Sequence, residues 1–312
     1  MTPTEIAPDV YRLGIGGFVN AYLVGDRRGW VFVDAGVAGQ FEALRDAAEQ
    51  RFGYGEKPAA IILTHGHGDH VGSALALAVF YDVPVYAHRM ELPYLTGKSD
   101  YAPADPTTGG PFALAVRFAP GVTRGTDLGE YVHALPDDGT VPGLGAEWRW
   151  VATPGHTPGH ISLFRERDRV LVTGDAVATI YVDTLTGIAQ AGTPQVSPPP
   201  APVTPDWHAA RRSVEALAAL EPRVIAPGHG EPMTGAGATA SMRRAADGFR
   251  VPQTGRYVPE SAEFDAWGVR YVPPAPADPL PLMVGIALAA VGIGFGVWAA
   301  QRSLAIDRKQ AG

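Results

Sequence analysis

The chain has 312 residues, of which 46% are hydrophobic and 18% are charged, a balance typical of a folded protein rather than a disordered one. The formal net charge is −7, and the first 280 residues contain no cluster of Lys and Arg that resembles a nucleic-acid-binding surface, so a nucleic-acid substrate is disfavoured. The absence of cysteine excludes disulfides, a thiolate nucleophile and cysteine metal ligands. Any metal must therefore be bound by nitrogen and oxygen.

Patterns typical of strands and helices alternate along the first 250 residues. The predicted strands are residues 10–13, 18–24, 30–34, 59–64, 83–87, 148–153, 161–164, 169–173 and 223–226. The predicted helices are residues 40–52, 69–81, a segment that follows the capping residue Asp206 as far as Leu220, and 241–249. Strands separated by helices predict an α/β fold in which helices cover the sheets.

Two segments of this region are rich in glycine and proline and predict loops. Residues 92–144 form a long insertion that we place near the opening of the site, and residues 193–205 form a proline-rich loop. Tyr94, Lys98 and Tyr101 lie in the insertion and could line a pocket, but the default expectation for them is a solvated loop.

The composition changes after residue 250. Residues 251–281 are crowded with prolines and predict a semi-rigid linker. Residues 282–300 contain no charged side chain and are long enough to cross a hydrocarbon core of about 30 Å as a helix, and a short basic tail follows at 301–312. The amino terminus does not resemble a secretory signal. We therefore expect a folded domain at 1–250 that lies in the cytoplasm and is anchored to a membrane by a single carboxyl-terminal helix.

Three imidazoles and one carboxylate lie within six residues, directly after an apolar predicted strand, in the sequence THGHGDH at 64–70. His65 and His67 are one residue apart in an extended loop, so their side chains can point towards the same ion. Asp69 and His70 open the next predicted helix and can face a second ion. The glycines at 66 and 68 let the backbone bend without side-chain clashes. This pattern predicts a metal-binding loop.

Three further motifs also follow predicted strands. His156 is the candidate ligand in the sequence TPGHTPGH at 153–160, and His229 is the candidate in PGHG at 227–230. Asp175 ends the sequence TGD at 173–175, where its two carboxylate oxygens can bridge two cations. Six of the nine histidines lie in these four motifs, which scattered structural histidines would not do. The motifs therefore predict one shared metal site.

The order His-x-His-x-Asp-His, then His, Asp and His, resembles the metallo-β-lactamase superfamily over about residues 11–232. The resemblance implies a four-layer αβ/βα sandwich, an α/β (α+β) fold with two sheets face to face and the site at one edge. It also makes residues 1–250 the catalytic domain. The family pattern implies the ligands His65, His67 and His156 for one ion, the ligands Asp69, His70 and His229 for the other, and Asp175 as a bridge.

Two residues outside that ligand set are also candidates for the site. Asp34 matches the family's first motif, and the resemblance implies that it orients a group of the metal loop. His160 is a candidate for contacting the substrate, for hydrogen-bonding a ligand or for supporting its loop. His88, His133 and His208 stand alone and are expected to be ordinary structural or surface histidines.

The donor types favour two zinc ions, with iron or manganese as alternatives, because nitrogen and oxygen ligands suit zinc. Two close cations lower the pKa of a bound water and make hydroxide available near neutral pH. Asp69 would additionally act in catalysis by orienting the nucleophile or shuttling its proton.

We expect a binuclear hydrolase that acts on a small-molecule acyl substrate. Asp175 stands where true β-lactamases have a cysteine or serine, as it does in glyoxalase II-like thioesterases and lactonases, which favours an ester, thioester or lactone. His67 stands where the diiron flavoprotein branch has a glutamate. Two alternatives stay open: an oxidoreductase similar to the mononuclear-iron persulfide dioxygenases, and a non-catalytic, membrane-tethered binding protein.

Overall fold

The computed structural model describes residues 1–119 and 121–278 of the chain. The chain divides into two units, Met1–Pro274 and Ala275–Gly312, and all the strands and helices described below lie in the first.

Two large sheets and one small hairpin contain the strands of the described residues. The first sheet has seven strands in chain order: β1 Thr4–Ala7, β2 Val10–Ile15, β3 Val19–Asp26, β4 Gly29–Val33, β5 Ala60–Ile62, β6 Val85–Ala87 and β7 Val132–Ala134. The second sheet has five strands: β8 Trp148–Ala152, β9 Ile161–Arg165, β10 Val170–Gly174, β11 Val224–Pro227 and β12 Met233–Thr234. The hairpin consists of β13 Glu263–Asp265 and β14 Gly268–Tyr271.

Eight α-helices connect or flank these strands within the described residues. They are α1 Phe41–Phe52, α2 Gly68–Val71, α3 Ala74–Tyr81, α4 Leu92–Leu95, α5 Gly110–Val116, α6 Leu185–Ala189, α7 Trp207–Ala219 and α8 Ala236–Asp247. Asp206 caps α7 as predicted, because its carboxylate accepts a hydrogen bond from the backbone N–H of Ala209 at 2.9 Å.

Three apolar clusters define four layers. Successive side chains of a strand point to opposite faces, so Val31 and Val33 of β4 pack against the second sheet, whereas Phe32 packs under α1 and α3. On the far side of the second sheet, Leu171 of β10 and Ile225 of β11 pack against α7 and α8. The order of layers is therefore helix, sheet, sheet, helix, which confirms the predicted αβ/βα sandwich.

The single helix predicted at 69–81 is divided into α2 and α3. Gly72 lies at the break, where its N–H donates a hydrogen bond to the carbonyl of Gly36 at 2.8 Å. A side chain at this position would collide with the backbone of Ala38. The helix is interrupted because the chain passes against the 36–38 loop at this point.

Most of the predicted linker belongs to the compact unit, which ends at Pro274 instead of near residue 250. Tyr257 is buried and donates a hydrogen bond to the carbonyl of Pro103 at 2.7 Å. Ala262 is also buried, and β13 and β14 follow it. Proline content predicted an extended chain, but it did not reveal that the chain packs against the domain.

The predicted transmembrane helix at 282–300 is not supported. Within residues 1–119 and 121–278, no helix combines the length and the apolar character needed to cross a membrane. The longest of them, α7, has 13 residues, which is roughly 20 Å against a hydrocarbon core of about 30 Å. The predicted segment and the basic tail at 301–312 lie outside the described residues. We therefore withdraw this helix and the anchored, cytoplasmic location that depended on it.

Candidate metal centre

The candidate site residues follow strands and lie in loops, except Asp69 and His70, which lie in the short helix α2. Strands β10 and β11 are parallel, so Asp175 and His229, which follow them, come to the same edge of the second sheet. Strands β4 and β5 are also parallel, which places Asp34 beside the loop that begins at Leu63 and carries His65. Parallel pairing thus gathers residues that are far apart in the sequence.

The first group of possible ligands consists of His65, His67 and His156. One nitrogen from each ring lies within 4.8 Å of the other two, and all three side chains are buried. Nδ1 of His67 and Nε2 of His156 are 2.9 Å apart. These are the three histidines that the family resemblance assigned to one ion.

The second group consists of Asp69, His70 and His229. Nε2 of His229 lies 3.2 Å from Oδ2 of Asp69, and Nε2 of His70 lies 3.4 Å from Nε2 of His229. Asp175 lies between the two groups, because its Oδ2 is 3.1 Å from Nε2 of His229 and 3.5 Å from Nε2 of His156. All seven predicted ligands are therefore close together.

This arrangement fits divalent cations. In a tetrahedral shell with metal–ligand bonds of about 2.0–2.1 Å, neighbouring donor atoms lie about 3.3 Å apart. The separations from Oδ2 of Asp175 to His70, His156 and His229 are 3.4, 3.5 and 3.1 Å. Nε2 of His65 and Oδ1 of Asp175 are buried without a hydrogen-bond partner among the described residues, which is costly unless a ligand satisfies them.

Burial keeps the three histidines of the first group neutral. It lowers the pKa of His65 and of His156 well below the usual value and that of His67 to about 4. A neutral imidazole has a free lone pair, which a metal ligand must have.

Carboxylates dominate the electrostatics of the second group. Burial alone would lower the pKa of His70, but the charges of Asp175, Asp69 and Asp34 together raise it well above its usual value. Burial also lowers the pKa of His229, but Asp175 has the stronger opposite effect and raises this pKa to about 10. A cation bound here would displace these protons from His70 and His229, because the same carboxylate oxygens that favour the protons also favour a metal ion.

Asp34 orients His70 from outside the ligand groups. Its Oδ2 lies 2.9 Å from Nδ1 of His70, so this nitrogen donates and Nε2 faces Asp175. Its Oδ1 accepts a hydrogen bond from the N–H of Thr64 at 2.8 Å. Asp34 adopts a left-handed backbone conformation with φ 61°, which is unfavourable for a residue with a side chain and is offset here by these hydrogen bonds.

His160 contacts the site through Asp175. Its Nε2 accepts a hydrogen bond from the backbone N–H of Asp175 at 2.9 Å, and its Nδ1 lies 2.8 Å from the hydroxyl of Thr153. The ring is buried and supports the position of Asp175. The isolated histidines 88, 133 and 208 contribute to none of the ligand groups found among the described residues.

Glu91 and Tyr101 belong to the site but were not predicted from the sequence. Glu91 is fully buried, and its carboxylate accepts hydrogen bonds from the N–H of Gly66 at 3.0 Å and of Gly159 at 2.8 Å. The ring of Tyr101, which we expected to be solvated, is buried 4.7 Å from the ring of His67, centroid to centroid. No local motif marks either residue.

A cavity of about 350 Å³ opens next to the two ligand groups. Its lining includes Asp69 and His229 at one end and Phe112 and Val122 of the long insertion elsewhere. The insertion therefore does lie near the site, and a substrate in this cavity would contact both the ligand groups and the insertion.

The fold and the donor set define a metal-dependent hydrolase. Residues 14–229 match the family model described as the metallo-beta-lactamase superfamily. The chain belongs to this superfamily.

Among its relatives, "Probable metallo-hydrolase YflN" of Bacillus subtilis is 44% identical over 235 residues, which is 74% of this chain and 87% of the relative. The crystal structure of the B3 metallo-beta-lactamase BLEG-1 is 26% identical with a TM-score of 0.51, covering 72% of this chain and 93% of that one. The family protein TTHA1429 of Thermus thermophilus is 22% identical with a TM-score of 0.55, covering 78% and 80%, and shows a similar fold.

Proposed function

We propose that this protein is a binuclear zinc hydrolase that cleaves small esters, thioesters or lactones. The observation that carries the proposal is the position of Asp175, whose Oδ2 lies within 3.5 Å of nitrogen donors from both ligand groups. A carboxylate in that position would bind two neighbouring cations if both were present, and nitrogen and oxygen donors at these spacings suit zinc.

The ligands of one ion would be His65, His67 and His156, those of the other would be Asp69, His70 and His229, and Asp175 would bind both. When bound, such ions lower the pKa of water and polarise a carbonyl group.

The chain itself supplies orientation and proton transfer. Asp69 is the most exposed carboxylate of the site and lines the cavity, so the carboxylate oxygen that does not face His229 can hold the attacking water and accept its proton. Asp34 keeps Nε2 of His70 directed at the site, and His160 holds the backbone of Asp175. The apolar wall of the cavity excludes water from the rest of the substrate.

The reaction class follows from the groups that are present. The chain has no cysteine, and no serine is among the described residues that line the cavity, so no such nucleophile is available there to form an acyl-enzyme intermediate. Asp175 at the bridging position is the feature that the sequence shares with thioesterases and lactonases, and the 44% identical relative is named a metallo-hydrolase.

The test is turnover of a panel of esters, thioesters, lactones, phosphodiesters and β-lactams by protein loaded with zinc, together with elemental analysis. We expect acyl hydrolysis and two zinc ions per chain. His67→Ala and Asp69→Ala should lower kcat by at least about 100-fold while the circular dichroism spectrum stays unchanged. His208→Ala, at an exposed position outside the site, is the matched control. One iron per chain with oxygen consumption, or no turnover of any substrate by the loaded protein, would contradict the proposal.

A further inference from the structure

The wall of the cavity beside the metal centre is almost entirely apolar. Five potential ligands line one end of the cavity. The remaining lining includes Phe112, Val122, Ala178, Ile180, Val182 and Val203. These side chains come from α5 and the loop that follows it, from the segment after Asp175 and from the proline-rich loop, so three separate parts of the chain contribute the same kind of surface.

None of the described residues that line this cavity is a lysine or an arginine. A carboxylate or phosphate on the part of a substrate that enters the cavity would lose its hydration without gaining a counter-ion from the wall. A neutral aliphatic chain has no charged group to desolvate, and burial of its methylene groups in the cavity contributes favourable binding free energy. The wall therefore favours uncharged, apolar substrate groups over anionic ones.

The position of the cavity decides which part of the substrate it holds. Because Asp69 and His229 form one end, a carbonyl group placed there leaves the rest of the molecule to extend along Ile180 and Phe112. A volume of about 350 Å³ corresponds to roughly a dozen groups of water or methylene size, taking ~30 Å³ each. This is enough for the carbonyl, part of the leaving group and an acyl chain of about six carbons.

We infer that the substrate carries an uncharged acyl chain of about four to eight carbons, which binds against Phe112, Ile180 and Val203. This inference rests on the proposed acyl hydrolysis. It assigns specificity to the wall of the cavity and to the long insertion that contributes Phe112.

The first experiment compares acetyl, butyryl, hexanoyl and succinyl esters of one common alcohol, using the zinc-loaded full chain. We expect kcat/KM to rise by up to about fourfold per methylene from acetyl to hexanoyl, which corresponds to ~0.8 kcal/mol for each buried methylene. Butyryl and succinyl have the same number of carbons and differ in charge. We expect kcat/KM for the succinyl ester to be at least about 100-fold lower than for the butyryl ester.

The second experiment changes the wall. Phe112→Ala should lower kcat/KM for the hexanoyl ester by about tenfold and for the acetyl ester by less than twofold. Leu114→Ala, two residues away on α5 and 50% exposed, is the matched control and should change neither value. Val182→Lys places a cation at a half-buried position of the wall and should raise the succinyl-to-hexanoyl ratio of kcat/KM by at least tenfold.

A readout that does not depend on turnover is saturation-transfer NMR with metal-free protein. Hexanamide should receive magnetisation from the protein, succinamate should not, and Phe112→Ala should weaken the hexanamide signal. If the enzyme hydrolyses succinyl and hexanoyl esters equally well, or prefers acetyl, the inference about the acyl chain is wrong although the hydrolase proposal stands. If the loaded protein hydrolyses no ester, thioester or lactone while hexanamide still binds, the hydrolase proposal is the one that fails.

Discussion

The phenol of Tyr101 donates a hydrogen bond of 2.5 Å to Oε2 of Glu91 in the interior of the domain. The same carboxylate accepts the N–H of Gly66, which lies between His65 and His67, and the N–H of Gly159, in the loop that carries His156. One buried carboxylate therefore joins the two loops that present the three histidines. Burial raises the pKa of Glu91, and these hydrogen bonds oppose that increase.

We predict that Glu91→Gln lowers the affinity of the three-histidine group for metal by about 10- to 100-fold. A glutamine has one acceptor oxygen, and its NH₂ group would face one of the two glycine N–H donors. The loops would then move apart, and the ring positions of His65 and His156 would change relative to each other. The measurements are competition with a chromophoric chelator and the visible absorption spectrum of the cobalt-substituted protein, which reports the geometry around the ion.

Two further variants separate positioning from a general loss of stability. Tyr101→Phe removes one donor but leaves the carboxylate, so its effect on metal affinity should be smaller. Leu44→Ala removes buried volume between α1 and the first sheet and should cost about 2–4 kcal/mol of unfolding free energy without altering the cobalt spectrum. A Glu91→Gln protein with the wild-type affinity and spectrum would show that Glu91 does not position the histidines.

The sequence revealed the candidate ligands because each lies in a short motif next to an apolar strand. Nothing comparable marks Glu91, whose partners Gly66 and Gly159 lie 25 and 68 residues away. The family resemblance predicted Asp175 as the bridge between the two groups, but the spacing of the motifs alone does not explain this position, which depends on the parallel pairing of β10 and β11. Local chemistry was therefore predictable, whereas contacts that depend on the fold were not.

The errors in the predicted fold have the same origin. Tyr94 and Tyr101 lie in a segment whose glycines and prolines indicated solvated loops, yet both are buried with their rings stacked 4.0 Å apart. The segment that contains Tyr257 was predicted to be a linker for a similar reason. Composition indicates the absence of regular helices and strands, but it does not indicate whether an irregular segment packs against the domain.

We predict that Gly228→Ala disrupts the metal centre. A Cβ atom at this position would collide with Oδ1 of Asp175 and lie close to the ring of His70. Either the carboxylate or the 227–230 loop must move, so metal affinity should fall by at least tenfold, as measured by calorimetric titration with zinc.

The control for Gly228→Ala is Gly237→Ala on α8, where a Cβ atom would meet nothing within 4 Å. Since alanine is a better helix former than glycine, this variant should be about 0.5–1 kcal/mol more stable than the parent with the same metal affinity. Equal zinc affinity in Gly228→Ala and Gly237→Ala would rule out the predicted collision.

Removal of metal is expected to lower the melting temperature, because the ligands join four separate loops of the folded chain. Binding to the folded state alone stabilises it by about 4 kcal/mol when the free metal concentration is 1,000 times Kd. Differential scanning calorimetry before and after treatment with a chelator measures the change. In His67→Ala the chelator should have a smaller effect, and an identical melting temperature of the parent with and without metal would contradict the prediction.

Asp183 is a carboxylate outside the ligand groups whose environment disfavours its charge. Oδ2 accepts a hydrogen bond from the N–H of Ala201 at 3.0 Å, whereas Oδ1 is buried without a partner among the described residues. Burial raises its pKa to about 6. In the unfolded chain the carboxyl group ionises near its usual pKa of about 3.9, so between about pH 4 and pH 6 the unfolded state releases this proton before the folded state does.

The contribution of Asp183 to stability is therefore fully present below about pH 4 and is lost as the pH rises to about 6. Asp183→Asn keeps an acceptor for Ala201 but cannot ionise, so at pH 7.5 it should be about 1–2 kcal/mol more stable than the parent, and at pH 4 this advantage should disappear. Urea unfolding at the two pH values measures the difference between the variant and the parent, in which the titration of all other groups cancels. Asp247→Asn, at an exposed position of α8, serves as the control for the substitution itself. A stability difference for Asp183→Asn that is the same at both pH values would mean that the folded protein does not disfavour the charge on this carboxylate.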